Sequence, residues 1–396
     1  MENAKQSERP LGLWALALGG FGIGLTELSV MGILPEIARR FSVGADTAGT
    51  LVSAYAIAVA LGAVFLTLAV RRIDRKNVLV GLVGLFIVGN LVCALAPSFP
   101  VLMIGRIIAA LCHGAYFSVG SVVAADMVSE NRRAGAISLM FAGLTVSNVI
   151  GTPFGAFLGQ RWGWNTIFWV LTGIGFLVLL STWLLVDKTP AGGETDLRGH
   201  LAALHRPSLW ASVALSVLTF AALIGPYTYV SYILTGVAGF RSTLLPALLV
   251  AYGIGTFIGN MVGGRAADRS LDGSLLTFIV GLAVVLALFA ALGQMLWISL
   301  VALVLWGVLG YATAPGLQLR LMNHAKDAPT IGSSMNIAAL NVGNASGAWL
   351  CGIPLGSGGT NAQGTLWIGA VLAAAAAMVL LISTKLESQF KAIKQS

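Results

Sequence analysis

Of the fifteen aspartate and glutamate residues in this 396-residue chain, only Glu27 falls well inside a long apolar run. An ionised carboxylate at the centre of a bilayer costs roughly 2.5–3.5 kcal/mol on insertion scales, and ionisable groups at such depth mark ion or substrate pathways. Whether the group holds a proton then depends on the side from which water reaches it. The chemistry open to Glu27 is reversible proton binding, or a permanently protonated hydrogen bond between helices. Arg106 and His113 are the other ionisable groups inside apolar runs. They are seven residues apart, two helical turns, and so share one helix face. Arg106 lies about seven residues from the end of its run and Glu27 about nine from its own, so at 1.5 Å per residue their depths differ by about 3 Å. A Glu27–Arg106 pairing is within geometric reach, and protonating Glu27 would weaken it. The alternatives are a tie from Arg106 to backbone carbonyls and, for His113, a hydrogen-bonded packing role in place of a proton relay.

The elements that must carry these residues are membrane helices. The chain is 57% hydrophobic and 10% charged, whereas soluble domains carry about 25% charged residues, too many for this chain to match. The 49 glycines suit helices that approach closely in lipid. A net charge of +8 would suggest nucleic acid in a soluble protein, but here the positive residues sit in short loops between apolar runs, and nucleic acid is not an expected partner. Cys93, Cys112 and Cys351 lie within apolar runs at no metal or redox spacing. No span pairs a nucleophile with a base and no His/Asp/Glu cluster has metal-ligand spacing, so neither an enzyme nor a metal or organic cofactor is expected.

Apolar runs of about 18 residues or more predict twelve spans: 11–35, 47–70, 78–96, 100–125, 134–158, 166–186, 208–235, 242–264, 274–292, 296–319, 331–354 and 364–384. The first is too long for a signal-peptide core and no small-residue cleavage site follows it, so it is expected to remain as a span. The polar stretch 187–207 divides the chain into halves, 1–186 and 208–396, each predicted to be a six-helix bundle. Eighteen Lys and Arg fall in the termini, the linker and one set of alternate loops; Arg39, Arg40, Arg161 and Arg241 fall in the other set. That bias places both termini in the cytoplasm.

The halves also echo each other. Tyr55 in Leu-Val-Ser-Ala-Tyr answers Tyr252 in Leu-Leu-Val-Ala-Tyr, 197 residues on; Asp74-Arg75 answers Asp268-Arg269 at 194; Asn148-Val-Ile-Gly151 answers Asn344-Ala-Ser-Gly347 at 196. Two homologous six-helix repeats can rock about a central site and expose it to each side in turn. Nothing resembles the filter loop of a channel.

The sequence resembles the major facilitator superfamily over its whole length, in the drug:proton antiporter branch, and is most similar there to bacterial exporters of sugars, chloramphenicol-type drugs and purine nucleosides. The residues that carry the likeness are Gly24-Leu-Thr-Glu27-Leu-Ser-Val-Met-Gly32-Ile-Leu-Pro35-Glu36, the Asp74-Arg75 loop, Arg106, and Gly151-Thr-Pro153-Phe-Gly155 followed by Gly159 and Gly163-Trp164. Val70 and Asn77 stand where the family's loop motif has glycine, and Thr152 separates a pair that the family joins as Gly-Pro.

The resemblance implies an all-α fold of two pseudo-symmetric six-helix bundles in a bacterial inner membrane, working as a monomer on a small-molecule substrate, with protons as the energy source and lipid as the surroundings. It implies proton coupling at Glu27, Arg106 and His113. It also implies a cytoplasmic latch at Asp74, Arg75, Asp268 and Arg269, in which the aspartate sits by a helix N-terminus and the arginine bonds to the other bundle. Gly151, Pro153, Gly155 and Gly159 would form a hinge that joins a broken backbone hydrogen bond to a groove for close packing. Cavity candidates are Tyr55, Tyr116, Asn148, Tyr227, Tyr252, Trp306, Asn336 and Asn344, with Tyr229, Tyr232 and Asn341 as further polar or aromatic groups on the same spans. Tyr and Trp join an apolar face to a polar tip, which suits amphipathic solutes. The expected activity is proton-coupled export; uptake of a small nutrient is the alternative within transport, and a non-transporting receptor is the alternative outside it.

Overall fold

The computed structural model describes residues 10–66, 69–70, 72–129, 133–187, 207–325, 329–358 and 361–395. Most of the predicted linker, 188–206, lies outside the described residues. The helices are α1 (Pro10–Gly32), α2 (Leu34–Phe41), α3 (Ala45–Leu61), α4 (Arg75–Ala94), α5 (Phe99–Asp126), α6 (Arg133–Trp162), α7 (Thr166–Leu185), α8 (Pro207–Thr228), α9 (Leu245–Arg269), α10 (Leu271–Leu292), α11 (Leu296–His324), α12 (Pro329–Gly352) and α13 (Ala362–Gln395). Short π-helical turns follow α3 (Gly62–Leu66) and, beyond Val230–Tyr232, α8 (Ile233–Val237).

Among the described residues, ten of these helices are long and apolar enough to cross a membrane, and eleven spans result if α2 and α3, bent by 118° to each other, count as one. The bend falls between the predicted spans 11–35 and 47–70; α2 is a short amphipathic helix, ended by Arg39 and Arg40, that leaves the line of α3. Helix α12, which carries Asn336, Asn341 and Asn344, is not among the ten. Large apolar side chains such as Phe176, Leu177 and Val371 are exposed, as expected of helices that face lipid tails.

The chain divides into two compact units, one of Met1–Glu36 with Ala54–Glu194 and one of Ile37–Ser53 with Thr195–Ser396. Two of its boundaries fall inside helices, one in α2 and one in α3. In unit 1, α1 packs chiefly on α6, and α4 on α5 and α7. The α1–α6 crossing depends on absent side chains: a Cβ at Gly143 would lie 2.0 Å from the Ala17 carbonyl oxygen, one at Gly155 2.2 Å from that of Ser29, and one at Gly32 2.3 Å from that of Thr152. The Thr152 hydroxyl donates to the Leu28 carbonyl at 3.2 Å. Helix α1, and Glu27 with it, is therefore held backbone against backbone.

Unit 2 repeats the device. Helix α8 packs on α12 and α13, α9 on α11, and α10 on α11 and α13. A Cβ at Gly343 would lie 2.5 Å from the Val217 carbonyl oxygen and one at Gly347 2.5 Å from that of Ala221. In the same unit the Tyr229 hydroxyl donates to the Ala348 carbonyl at 2.8 Å, and the Ser53 hydroxyl to that of Ala345 at 3.0 Å.

Candidate functional site

In unit 1, α1 supplies Glu27, α3 supplies Tyr55, and α5 supplies Arg106 and His113 two turns apart on one face. The Glu27 carboxylate approaches His113 Nδ1 at 3.7 Å, and the same nitrogen lies 3.3 Å from the Tyr55 hydroxyl. The Glu27 side chain keeps 18% of its surface exposed and that of His113 11%.

Arg106 is fully buried. Its Nη1 donates to the Thr26 carbonyl at 2.6 Å, and its guanidinium lies 4.0 Å from the centre of the Tyr55 ring, a cation–π contact. Its Nε and Nη2 are buried with no hydrogen-bond partner. Arg106 thus grips the backbone beside Glu27, not the carboxylate itself, and among the described residues the two form no ion pair. Tyr55 joins the site from both sides, through its ring to Arg106 and through its hydroxyl to His113.

The remaining candidates separate by position. Gly151, Pro153, Gly155 and Gly159 lie along α6; a Cβ at Gly151 would meet Leu28 and one at Gly159 would meet Ile33. Asp74 caps α4, its Oδ1 accepting from the Lys76 and Asn77 backbone N–H groups at 3.0 and 3.3 Å. Arg75 bonds Asp126 at the end of α5, within unit 1, at 2.7 Å. Asp268 and Arg269 are exposed in the last turn of α9 and form no ion pair among the described residues.

Tyr116 is buried, and its hydroxyl donates to the Leu16 carbonyl at 3.3 Å. Asn148 is half-buried on α6. In unit 2, Tyr227 and Tyr252 stack with ring centres 4.1 Å apart, and Trp306 stands edge-on to both at 5.8 and 5.7 Å. Trp306 Nε1 donates to the Leu223 carbonyl at 3.2 Å, whereas the buried Tyr252 hydroxyl has no partner. Asn336 bridges Ser216 (2.9 Å) and Gln318 (2.6 Å), and Asn344 buries an unpartnered Oδ1.

Sequence reasoning missed a cluster in unit 2. Buried Arg320, near the end of α11, bonds Asp272 at the start of α10, and its Nη2 donates to Ser383 and Glu387 on α13, both at 2.9 Å. The signal was in the repeat. Asp272 follows Arg75 by 197 residues and Arg320 follows Asp126 by 194, so an ion pair recurs at the repeat spacing with its charges exchanged.

The model of the Major Facilitator Superfamily matches residues 16–348. The chain belongs to that superfamily. This facilitator is 37% identical to the inner membrane transport protein YdhP of Escherichia coli over 384 residues, covering 97% of this chain and 98% of that one. It is 32% identical to a chloramphenicol resistance protein of Streptomyces lividans over 377 residues, 93% of this chain and 95% of the relative. Its fold resembles the crystal structure of a bacterial homologue of the human lysosomal transporter Spinster, described as inward-facing and occupied, with a TM-score of 0.78 over 96% and 97% of the two chains at 18% identity. The facilitator is a multi-pass membrane transporter of small molecules, not an enzyme.

Proposed function

We propose that this facilitator is a proton-coupled exporter of small organic molecules such as drugs, sugars or nucleosides, in a bacterial inner membrane, with twelve spans and both termini in the cytoplasm. The twelve are the ten apolar helices, the bent α2–α3 pair and the asparagine-bearing α12. The observation that carries the reading is the Glu27 carboxylate, partly exposed and 3.7 Å from His113. Export is supported by the resistance function in the name of the Streptomyces relative.

In this reading Glu27 has two stations. Ionised, it turns to the two unpartnered N–H donors of Arg106, where a charge-assisted pair satisfies groups that otherwise cost free energy. Protonated, it needs no counter-charge and rests against His113. A proton entering from outside releases Glu27 from Arg106, the transporter turns inward by alternating access, and the proton leaves to the cytoplasm as substrate is taken up for export. The aromatic and amide groups of Tyr227, Tyr252, Trp306, Asn336 and Asn344 are the substrate-facing candidates of unit 2.

The test is transport in proteoliposomes under an imposed pH gradient, with labelled chloramphenicol, a pentose and a purine nucleoside as trial substrates. The wild type moves at least one of them uphill, and Glu27→Gln does not, although it retains a cooperative unfolding transition. Uphill transport unchanged in Glu27→Gln rejects Glu27 as the coupling group. Accumulation driven toward the cytoplasmic side rejects export.

A further inference from the structure

Helix α3 is shared by the two units: residues 45–53 belong to unit 2 and residues 54–61 to unit 1. The two halves are held differently. In unit 1, Tyr55, Ala58 and Val59 form an apolar cluster with Ala110 of α5. Just beyond, a Cβ on Gly62 would meet the Leu111 backbone, and one on Gly114 the backbone of Ala63. Tyr55 adds its contacts to Arg106 and His113. This half of α3 is locked to α5 main chain against main chain.

Residues 45–53 rest instead on α8 and α12. The buried Tyr229 ring, one residue past α8, points its hydroxyl between Gly49 of α3 and Gly352 of α12, and a Cβ on either glycine would strike that oxygen. The hydroxyl donates to the Ala348 carbonyl at 2.8 Å. The seat is therefore built from the second sequence repeat, and Gly49 of the first repeat only lies on it. One turn along α3, the Ser53 hydroxyl ties to the Ala345 carbonyl at 3.0 Å. Asp46, in the first turn of α3, has its Cα 3.5 Å from the Cβ position of Gly352. Its Oδ1 is buried with no hydrogen-bond partner among the described residues. An unsatisfied buried acceptor costs free energy that exposure to water restores, so the seat closes against a standing cost.

We propose that residues 45–53 are a strap that closes the transporter at the end facing outside in the topology proposed above. Gly49 on Tyr229 is its seat and Ser53 its tie, and it lifts off α8 and α12 as part of α3, which stays with α5. The inference rests on alternating access and on that topology, not on Glu27 or on the direction of transport.

Distances between spin labels on the purified full-length protein, read by pulsed electron paramagnetic resonance, test this without substrate or a proton gradient. The buried Cys93, Cys112 and Cys351 are replaced by alanine. Labels go on half-buried Thr47 in the strap and on exposed Thr243 and Gln294 elsewhere in unit 2. Ser53→Ala, which cuts the tie, is expected to raise the ratio of long to short Thr47–Thr243 distances roughly 2- to 12-fold, the change that one lost hydrogen bond gives. Gly49→Leu, which puts a side chain on the seat, is expected to make the long distance the main one. The Thr243–Gln294 distance stays fixed in both variants. A Thr47–Thr243 distribution unchanged in Gly49→Leu, or in Ser53→Ala if Gly49→Leu fails to fold, overturns the proposal. So does a Thr243–Gln294 distance that shifts alongside it, because unit 2 as a whole is then loosened. No transport is measured, so a strap that never lifts leaves the export assay to be judged by itself, and a failed export assay leaves these distances readable.

Discussion

Tyr55 and Tyr252 occupy equivalent places in the two repeats, 197 residues apart, and both are almost fully buried. Their neighbours differ completely. The ring of Tyr55 carries a guanidinium, and its hydroxyl meets His113, which in turn faces Glu27. The ring of Tyr252 stacks on Tyr227 and abuts Trp306, and its hydroxyl meets nothing. Where unit 1 has Glu27, the repeat spacing leads in unit 2 to Leu223 or Ile224. Tyr55 belongs to a charge site in unit 1 and Tyr252 to an aromatic wall in unit 2. This division is what a coupled transporter needs if one half handles the ion and the other the solute.

The largest effect that could break this comparison is functional. Glu27→Gln is expected to abolish gradient-driven transport, while Leu223→Ala, nearest its equivalent, leaves coupling to the gradient intact; the proteoliposome assay reads both. Next comes the aromatic wall. Trp306→Ala removes the hub of that cluster together with its bond to Leu223, and is expected to cost about 3–5 kcal/mol, measured as a lowered unfolding midpoint. Smaller but sharper is the same conservative change made in both repeats. Tyr55→Phe keeps the ring for Arg106 but loses the bond to His113, and should destabilise by roughly 0.5–1.5 kcal/mol, whereas Tyr252→Phe removes an unpartnered buried hydroxyl and should leave stability unchanged or raise it by about 1 kcal/mol. Effects of the same sign and size would mean that the two environments are alike after all. The smallest difference concerns the exchanged ion pairs. Arg75 and Asp126 are partly exposed, so Asp126→Ala should cost no more than about 1 kcal/mol. Glu387→Ala leaves buried Arg320 with one carboxylate in place of two and should cost several times as much.

Much of this was legible in the sequence. Apolar runs located the membrane helices, because burying a backbone in lipid demands long apolar segments, and the echoes at Tyr55/Tyr252 and Asn148/Asn344 argue for a duplication. Periodicity also put Arg106 and His113 on one face. It carries no information on how one helix is rotated against its neighbour, so depth alone could not tell that Arg106 would grip the Thr26 carbonyl while His113 took the place beside Glu27. Helix α2 escaped for a different reason: the stretch between the predicted spans 11–35 and 47–70 is too short and too polar to register as an apolar run. Arg320 and Asp272 were overlooked because charges near span ends serve as topology markers, although the offset of 194 that joins Asp74 to Asp268 also joins Asp126 to Arg320.

The glycine contacts between α1 and α6 have a mechanical corollary. A helix lying with its main chain directly on another cannot slide or roll without collision, so the segment that bears Glu27 rides as a fixed part of its unit. Any travel of the carboxyl between neighbours must then come from rotation about the three torsions of that one side chain. Its reach is set by the length of a glutamate, and Glu27→Asp, shorter by one methylene, would test how closely the site is measured to it.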